Sequence, residues 1–380
     1  MKKNLLLTPG PTQIPPEICD VLGQPIIHHR TPQFQQILKE VTEDLKYVFQ
    51  TKNDVFILTS SGTGAMEAAV CNLLSANDKV LIIEGGKFGE RWTEICKAYG
   101  VLPKVIKVEW GKSASLEQIQ KILQGEKDIK AVYATLVETS TGVTFDVKAI
   151  GEMVKKTNTV LVVDAISGLG ATDLPTDAWG VDVVVSGSQK GLMLPPGLAF
   201  ISLSVKAYNL MAKAKLPRYY FDLQMAKKAF EKTDTPFTPA IGIIIALSES
   251  LKIIKTQTLQ KLFTHFAKLA KATQAAAKAL GLELYAHPSC ASNVVTAIKV
   301  PVHIDGEKLV KTMRDTYGIA IAGGQGEELK GKIIRIAHMG CINENDTLTG
   351  ISFLEKVLEE MGYKFKLGTG VAAAEKVLNS

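Results

Sequence analysis

Four short stretches of this 380-residue chain hold residue types that could do chemistry. The first is Thr59-Ser60-Ser61-Gly62-Thr63-Gly64-Ala65-Met66-Glu67, set between a strand pattern and a helix pattern. Free N–H groups and the helix dipole at such a junction bind phosphate, and Ser and Thr hydroxyls add donors. Gly62-x-Gly64 approaches a dinucleotide fingerprint, and Glu84 ends the next strand about where a ribose-binding acid belongs. The third glycine position holds Glu67, where close helix–strand packing wants Gly or Ala. The plainer reading of this stretch is a Gly/Ser turn with a Ser N-cap. The second stretch ends the apolar run Val160-Leu161-Val162-Val163 with Asp164. That acid either faces a site at the strand's carboxyl end or caps the following helix.

The third stretch is Asp182-Val183-Val184-Val185-Ser186-Gly187-Ser188-Gln189-Lys190-Gly191, followed by Leu-Met-Leu-Pro-Pro-Gly. Most lysines of a lysine-rich chain are solvated. Lys190 instead follows a fully apolar strand and precedes apolar, proline-rich chain. A lysine held in a poorly hydrated pocket has a lowered pKa and becomes a nucleophilic amine able to form a Schiff base. The fourth is Arg335, which interrupts the apolar strand Lys332-Ile333-Ile334-Arg335-Ile336-Ala337 in a chain with only five arginines. A guanidinium there pairs with a carboxylate, either a protein Glu or a substrate.

Short β-branched runs alternating with helix-length stretches must position these residues. Strands are predicted at Val55–Thr59, Lys79–Ile83, Ala131–Ala134, Thr159–Val163, Val181–Val185 and Leu198–Ser202. Helices are predicted at Gly64–Leu74, Arg91–Gly100 and Val147–Thr157. Continuous apolar strands separated by helices mean a mostly parallel sheet covered on both faces, with its site past the strands' carboxyl ends. After Pro239 the pattern changes. Ile243 to Leu280 reads as one long helical stretch ended by Gly281. Beyond it lie a strand (Asn293–Val300), a helix (Gly306–Tyr317), a strand (Lys332–Ala337) and a helix (Asn345–Gly362), which read as a smaller α+β unit.

Composition narrows the class without naming a chemistry. Hydrophobic residues make up 46% and charged residues 22%, enough apolar material for a large core. The formal charge of +6 is spread over the chain, which argues against a nucleic-acid partner. No apolar run approaches the ~20 residues that cross a bilayer. The basic-then-apolar start, Met1 to Leu7, stops at Thr8-Pro9-Gly10, too early for a signal peptide. Five widely spaced cysteines without a CxxC pair suit reduced thiols in a cytosol, with neither a disulfide frame nor a metal site.

Together, a phosphate cradle, an acid after a strand, a Schiff-base lysine after the next strand and a carboxylate-binding arginine are the parts of a pyridoxal phosphate enzyme. With these stretches in view, the chain resembles class V, fold-type I aminotransferases of the serine–pyruvate / alanine–glyoxylate family. Bacterial and archaeal members of that family are sometimes labelled a soluble hydrogenase subunit. The matching stretches include Leu7-Thr8-Pro9-Gly10-Pro11-Thr12, Ile27-His28-His29-Arg30, Ser61-Gly62-Thr63-Gly64-Ala65-Met66-Glu67 and Phe88-Gly89-Glu90-Arg91-Trp92. They continue with Glu138-Thr139-Ser140-Thr141-Gly142, Val163-Asp164-Ala165-Ile166-Ser167-Gly168, Gly187-Ser188-Gln189-Lys190-Gly191 and Pro195-Pro196-Gly197. The first two-thirds match densely. The last third matches loosely, around Arg335 and Gly340-Cys341.

The resemblance implies a large domain with a mostly parallel seven-stranded sheet between helices and a small C-terminal α+β domain. It divides the chain into an N-terminal segment (1–20), a cofactor domain (21–250) and a small domain (251–380) that starts with a long connecting helix. It implies pyridoxal 5'-phosphate as cofactor, no metal, and a cytoplasmic homodimer with active sites at the interface. By position, Lys190 is the Schiff-base lysine, carrying the cofactor as an aldimine, and Asp164 the partner of the pyridine nitrogen. Ser61, Gly62 and Thr63 hold the phosphate, with Gln189 beside it. Phe88 stacks on the ring and Ser140 sits near its edge. Thr238 completes the phosphate site of the other subunit. Arg335 binds the substrate carboxylate, and the Pro9-Gly10 backbone lines the pocket.

The implied reaction is ping-pong transamination between alanine or serine and glyoxylate or pyruvate. No second arginine stands near a motif to receive a side-chain carboxylate, which favours small neutral donors over an aspartate-type enzyme. His28, His29 and His338 are candidates for pocket lining. A cysteine desulfurase-like lyase needs histidines where Gln189 and Phe88 stand and a mobile nucleophilic Cys; Cys341 follows the carboxylate-binding strand, where many aminotransferases also have Cys. A nucleotide-binding oxidoreductase built on the Gly62 loop would leave Lys190 and Asp164 without a role.

Overall fold

The computed structural model describes residues 4–380. The chain opens with β1 (Leu5–Leu6), α1 (Pro16–Leu22) and α2 (Pro32–Phe49). Then β2 (Val55–Leu58) leads to α3 (Gly62–Leu73), β3 (Lys79–Glu84) to α4 (Lys87–Ala98), and β4 (Leu102–Lys107) to α5 (Leu116–Gly125). β5 (Ile129–Thr135) is followed by a hairpin of β6 (Val137–Glu138) and β7 (Val143–Thr144), and by α6 (Val147–Val154). β8 (Val160–Asp164), β9 (Val183–Gly187) and β10 (Ala199–Leu203) come next, then α7 (Val205–Met211), α8 (Leu223–Phe230), α9 (Ile241–Gln257) and α10 (Leu259–Ala279). The remainder is β11 (Val295–Lys299), α11 (Gly306–Tyr317), β12 (Ile319–Ala320), β13 (Ala322–Gly323), α12 (Gly326–Leu329), β14 (Ile333–Ala337), α13 (Glu344–Glu360) and α14 (Thr369–Leu378).

Seven strands form the central sheet in the order β2-β10-β9-β8-β5-β3-β4. All neighbours are parallel except β10, which runs antiparallel to both β2 and β9. The valine-rich strands β8 and β9 are buried along their whole length. Because successive strand residues point to opposite faces, Leu161 and Val163 enter one apolar cluster while Val160 and Val162 enter another. This is the doubly covered sheet that the sequence predicts.

A third apolar cluster gathers Leu269, Ile298, Ile334 and Val357 with Leu7 from the chain start. Its three-stranded antiparallel sheet has the order β11-β14-β13. The N-terminal segment is built into this part: β1 pairs in parallel with β12, and the Ala337 N–H donates to the Leu7 carbonyl at 2.8 Å.

Several elements, α1, α2, α5, α7, α8 and α14 among them, lie outside the sequence reading, and two further departures have a specific physical reason. The long stretch from Ile243 to Leu280 is two helices, because Thr258 adopts φ 65° and ψ 142° between them. The Leu259 N–H left free by the break donates to the Tyr47 hydroxyl of α2 at 3.1 Å. Apolar spacing continues on both sides of one non-helical residue, so periodicity does not register it. Strand β4 has no counterpart in the prediction, and it holds Pro103, a residue disfavoured within strands. It lies at the sheet edge, where a missing donor is tolerated.

Candidate active site

The loops after β2 and β9 and the last residue of β8 meet at the carboxyl side of the sheet. Together with the N-terminal segment they enclose a cavity of about 230 Å³. Gly10, Ser61, Gly62, Thr63, Phe88, Arg91, Asp164, Ser167, Gln189 and Lys190 are among its lining residues. The sheet topology brings together, from the predicted site, every residue except Ser140, Thr238 and Arg335.

Lys190 is buried, and its amine donates to the Pro9 carbonyl and to Ser167 Oγ, the latter at 3.0 Å. Burial lowers its pKa to about 8, against the opposing pull of Asp164; the Arg335 charge adds to the lowering. The Lys190 side chain passes so close to Gly10 that a Cβ there would stand 2.5 Å from Lys190 Cε. Thr12 ties the same loop down, its N–H donating to the Gln189 carbonyl at 3.1 Å and its hydroxyl to the Lys190 carbonyl at 3.0 Å.

Asp164 ends β8, and no α-helix follows it, so it is not a helix cap. Its Oδ1 accepts the Ile166 N–H at 2.8 Å. Burial raises its pKa to about 7, with this N–H holding it back.

At the start of α3, Ser61 occupies the N-cap position but makes no capping hydrogen bond, so its hydroxyl is free. The Gly64 N–H is taken by the Ser61 carbonyl at 2.8 Å, which leaves the first-turn N–H groups of Gly62 and Thr63 for a ligand. A Cβ on Gly62 would stand 2.5 Å from Ile166 Cδ1, so a side chain there would have to push Ile166 aside. Gln189 Oε1 is buried without a partner. An open helix N-terminus, a free hydroxyl and an unpartnered amide beside a buried acid and a buried amine fit a cofactor with a phosphate, a ring nitrogen and an aldehyde. Pyridoxal phosphate is such a group.

Phe88, in the first turn of α4, carries Arg91 Cζ 4.9 Å from its ring centroid and Lys190 Nζ 5.8 Å from it. Arg91 also donates to Thr63 Oγ1 at 3.4 Å. This corrects the expectation that no second arginine stands near the site motifs. Arg91 follows Phe88 by three residues, one helical turn, and that spacing was a legible signal. Ser167 was missed as well, although it follows Asp164 by only three residues.

Ser140 is fully buried, and its hydroxyl donates to Glu138 Oε1 at 2.5 Å and accepts the Lys87 N–H at 3.1 Å. Thr238 is exposed and away from the cavity of its own chain. Arg335 is 4% exposed and donates to the carbonyls of Gly323 and Thr139, each at 2.9 Å. Burial lowers its pKa to about 10, with Glu138 opposing. Among the described residues no carboxylate lies within ion-pair distance of it.

His28, His29 and His338 do not line the cavity. His338 is fully buried against Thr296 Oγ1 at 2.8 Å, and burial lowers its pKa to about 3. Cys341 lines a different groove, with Pro15, Met193 and His265. Glu84, the acid in ribose-binding position, accepts the Thr93 hydroxyl at 2.8 Å and does not line the cavity. Among the described residues, no group of three or more His, Cys, Asp or Glu could hold a metal ion, and no helix is long and apolar enough to cross a membrane.

This architecture is that of fold-type I aminotransferases. Residues 5–338 match the model of the aminotransferase class-V family, and the chain belongs to that family. It is 45% identical to the soluble hydrogenase small subunit of Synechococcus sp. (strain PCC 6716), over 100% of this chain and 99% of that one. It is 37% identical to the L-aspartate–glyoxylate aminotransferase of Paracoccus denitrificans (strain Pd 1222), over 98% and 96%. Among solved structures, ureidoglycine–glyoxylate aminotransferase from Bacillus subtilis superposes with a TM-score of 0.96 at 30% identity, covering 100% of this chain and 99% of that one.

Proposed function

We propose that the chain is a pyridoxal phosphate-dependent aminotransferase that moves an amino group from a small neutral amino acid, alanine or serine, to glyoxylate or pyruvate. The observation that carries this reading is the buried Lys190 amine facing the same cavity as Asp164 and the open N-terminus of α3. Ser61, Gly62, Thr63 and Gln189 would hold the phosphate, Phe88 would face the ring, and Asp164 would meet the ring nitrogen. Lys190 would join the aldehyde, and Ser140 would stand near the ring edge. When bound, the cofactor supplies an aldehyde that condenses with amines and a ring that stores the electron pair of a broken Cα–H bond.

The chain's own residues then do the rest. Lys190 Nζ, with a pKa lowered to about 8 by burial, is poised to take a proton from the substrate Cα and return it. Ser167 and the Pro9 carbonyl hold that amine in place between transfers. Arg335, lacking a protein carboxylate, would anchor the substrate α-carboxylate, with Gly10 on the pocket wall. Donor and acceptor use one site in turn, so the kinetics are ping-pong.

Glyoxylate as acceptor is supported by the names of the two aminotransferase relatives above. An aspartate donor is the second reading, favoured by Arg91 on the cavity wall. A homodimer is supported by the exposed aromatic patch beside Thr238. Tyr219 is 73% exposed, and Phe237 stacks on Tyr220 at 5.2 Å. Thr238 would reach the phosphate of the second copy. The five free cysteines suit a cytoplasmic setting.

Two measurements test the proposal. Borohydride treatment of the cofactor-loaded protein should abolish its visible band and leave a label on Lys190; a protein that takes up no pyridoxal phosphate would refute it. A panel of alanine, serine and aspartate against glyoxylate, pyruvate and 2-oxoglutarate should give the highest kcat/KM for a neutral donor. A preference for aspartate would move the assignment to the second reading.

A further inference from the structure

Helix α4 begins without a capping side chain of its own, because its N-cap residue is Gly86. Its first-turn N–H groups are satisfied from elsewhere in the chain. Glu138, on β6, is 0% exposed and brings its carboxylate to this helix end. Oε2 accepts the Phe88 N–H at 3.1 Å and the Gly89 N–H at 2.9 Å. Oε1 accepts the Ser140 hydroxyl at 2.5 Å and, at 3.3 Å, the Ser140 N–H. Space is reserved for this arrangement: a Cβ on Gly86 would stand 2.4 Å from Ser140 Oγ and 2.5 Å from Glu138 Cδ.

Every partner of the carboxylate is a donor, which is the pattern of an ionised acid. Burial pushes its pKa up, while the N–H and O–H donors hold it down. Its negative charge favours the charged forms of both Lys190 and Arg335. None of the roles assigned above uses it.

We propose that Glu138 is a positioning residue: by fixing the backbone of Phe88 and the hydroxyl of Ser140, it sets the aromatic platform of the cavity at the angle the cofactor ring requires. The inference rests on the reading of Phe88 as that platform. A carboxylate that only caps α4 would add stability to the helix and would not influence how well the Phe88 ring serves a ligand.

A double-mutant cycle on cofactor affinity separates the two roles. The cofactor-free protein is titrated with pyridoxal phosphate, and the dissociation constant is read for the parent, E138Q, F88A and the double variant. F88A should raise the constant roughly 10-fold by losing ring stacking, and E138Q should raise it several-fold through the unpaired donors. The double variant should be no worse than F88A alone, because Glu138 acts through the ring that F88A removes. Independent, multiplying effects, or an E138Q protein that binds as the parent does, would overturn the inference and leave the Phe88 reading intact. An F88A protein with parental affinity would sink that reading, and this inference with it. Should circular dichroism show E138Q unfolded, E138D takes its place in the cycle. It keeps the charge and draws it back from the Phe88 N–H, and the same outcomes apply.

Discussion

The Lys190 amine and the Pro9 carbonyl, 181 residues apart in sequence, share a hydrogen bond inside the cavity. The neighbouring Gly10 has φ +135°, and a Cβ there would stand 2.9 Å from Lys190 Nζ. A side chain at this position is therefore strained in the backbone and displaces the lysine. Gly10→Ala should purify with little cofactor and lose roughly 100-fold or more in kcat/KM, the scale of a misplacement near 1 Å. Visible absorbance of the purified protein and steady-state kinetics check this.

Asp164→Asn should act in opposite directions on stability and activity. The carboxyl pKa is raised by burial to about 7, from an ordinary value of 3.8. The folded state thus holds a proton that the unfolded state has lost, and stability falls as pH rises through this window. Asparagine does not titrate, so the cofactor-free variant should be more stable than the parent at pH 8, by about 2–4 kcal/mol at most. The gain should fade toward zero by about pH 3, where the carboxyl is protonated in both the folded and the unfolded state. Thermal melts at the two pH values decide this. Activity of the loaded variant should fall roughly 100-fold, because the neutral amide gives up a charge-assisted hydrogen bond.

Arg335 stands outside the lining of the cofactor cavity, and among the described residues its bonds go to backbone carbonyls and not to a carboxylate. Arg335→Lys should therefore load cofactor as the parent does, while KM for the amino donor rises roughly 100-fold, since one ammonium cannot reproduce a forked contact. Kinetics at saturating cofactor, with absorbance to confirm loading, test this pair of outcomes.

Glu84 accepts the Thr93 hydroxyl at 2.8 Å, so its work is to tie β3 to α4. Glu84→Gln should cost about 1 kcal/mol of stability and leave cofactor affinity unchanged. A loss of ligand affinity in this variant, read by the same cofactor titration, would place Glu84 in the site after all.

Much of this was legible in the chain because local rules determine it. Valine-rich runs such as Val160–Val163 can only be strands buried on both faces, and their alternation with helices dictates a covered parallel sheet. That architecture places Asp164, Lys190 and the Ser61–Thr63 turn at the carboxyl side of the sheet, and a scarce arginine inside an apolar strand announces Arg335. The break at Thr258 and the edge strand around Pro103 escaped because contacts from distant segments decide them. So did the wall of the cavity itself. That Lys190 meets Pro9, that Arg91 reaches Thr63, and that Glu138 reaches the open end of α4 depend on how loops far apart in sequence close over one another. Residue type and spacing select the chemistry a segment can do. Only the packed chain, where burial removes water and leaves each polar group the partners that folding brings to it, decides which of those groups face one another.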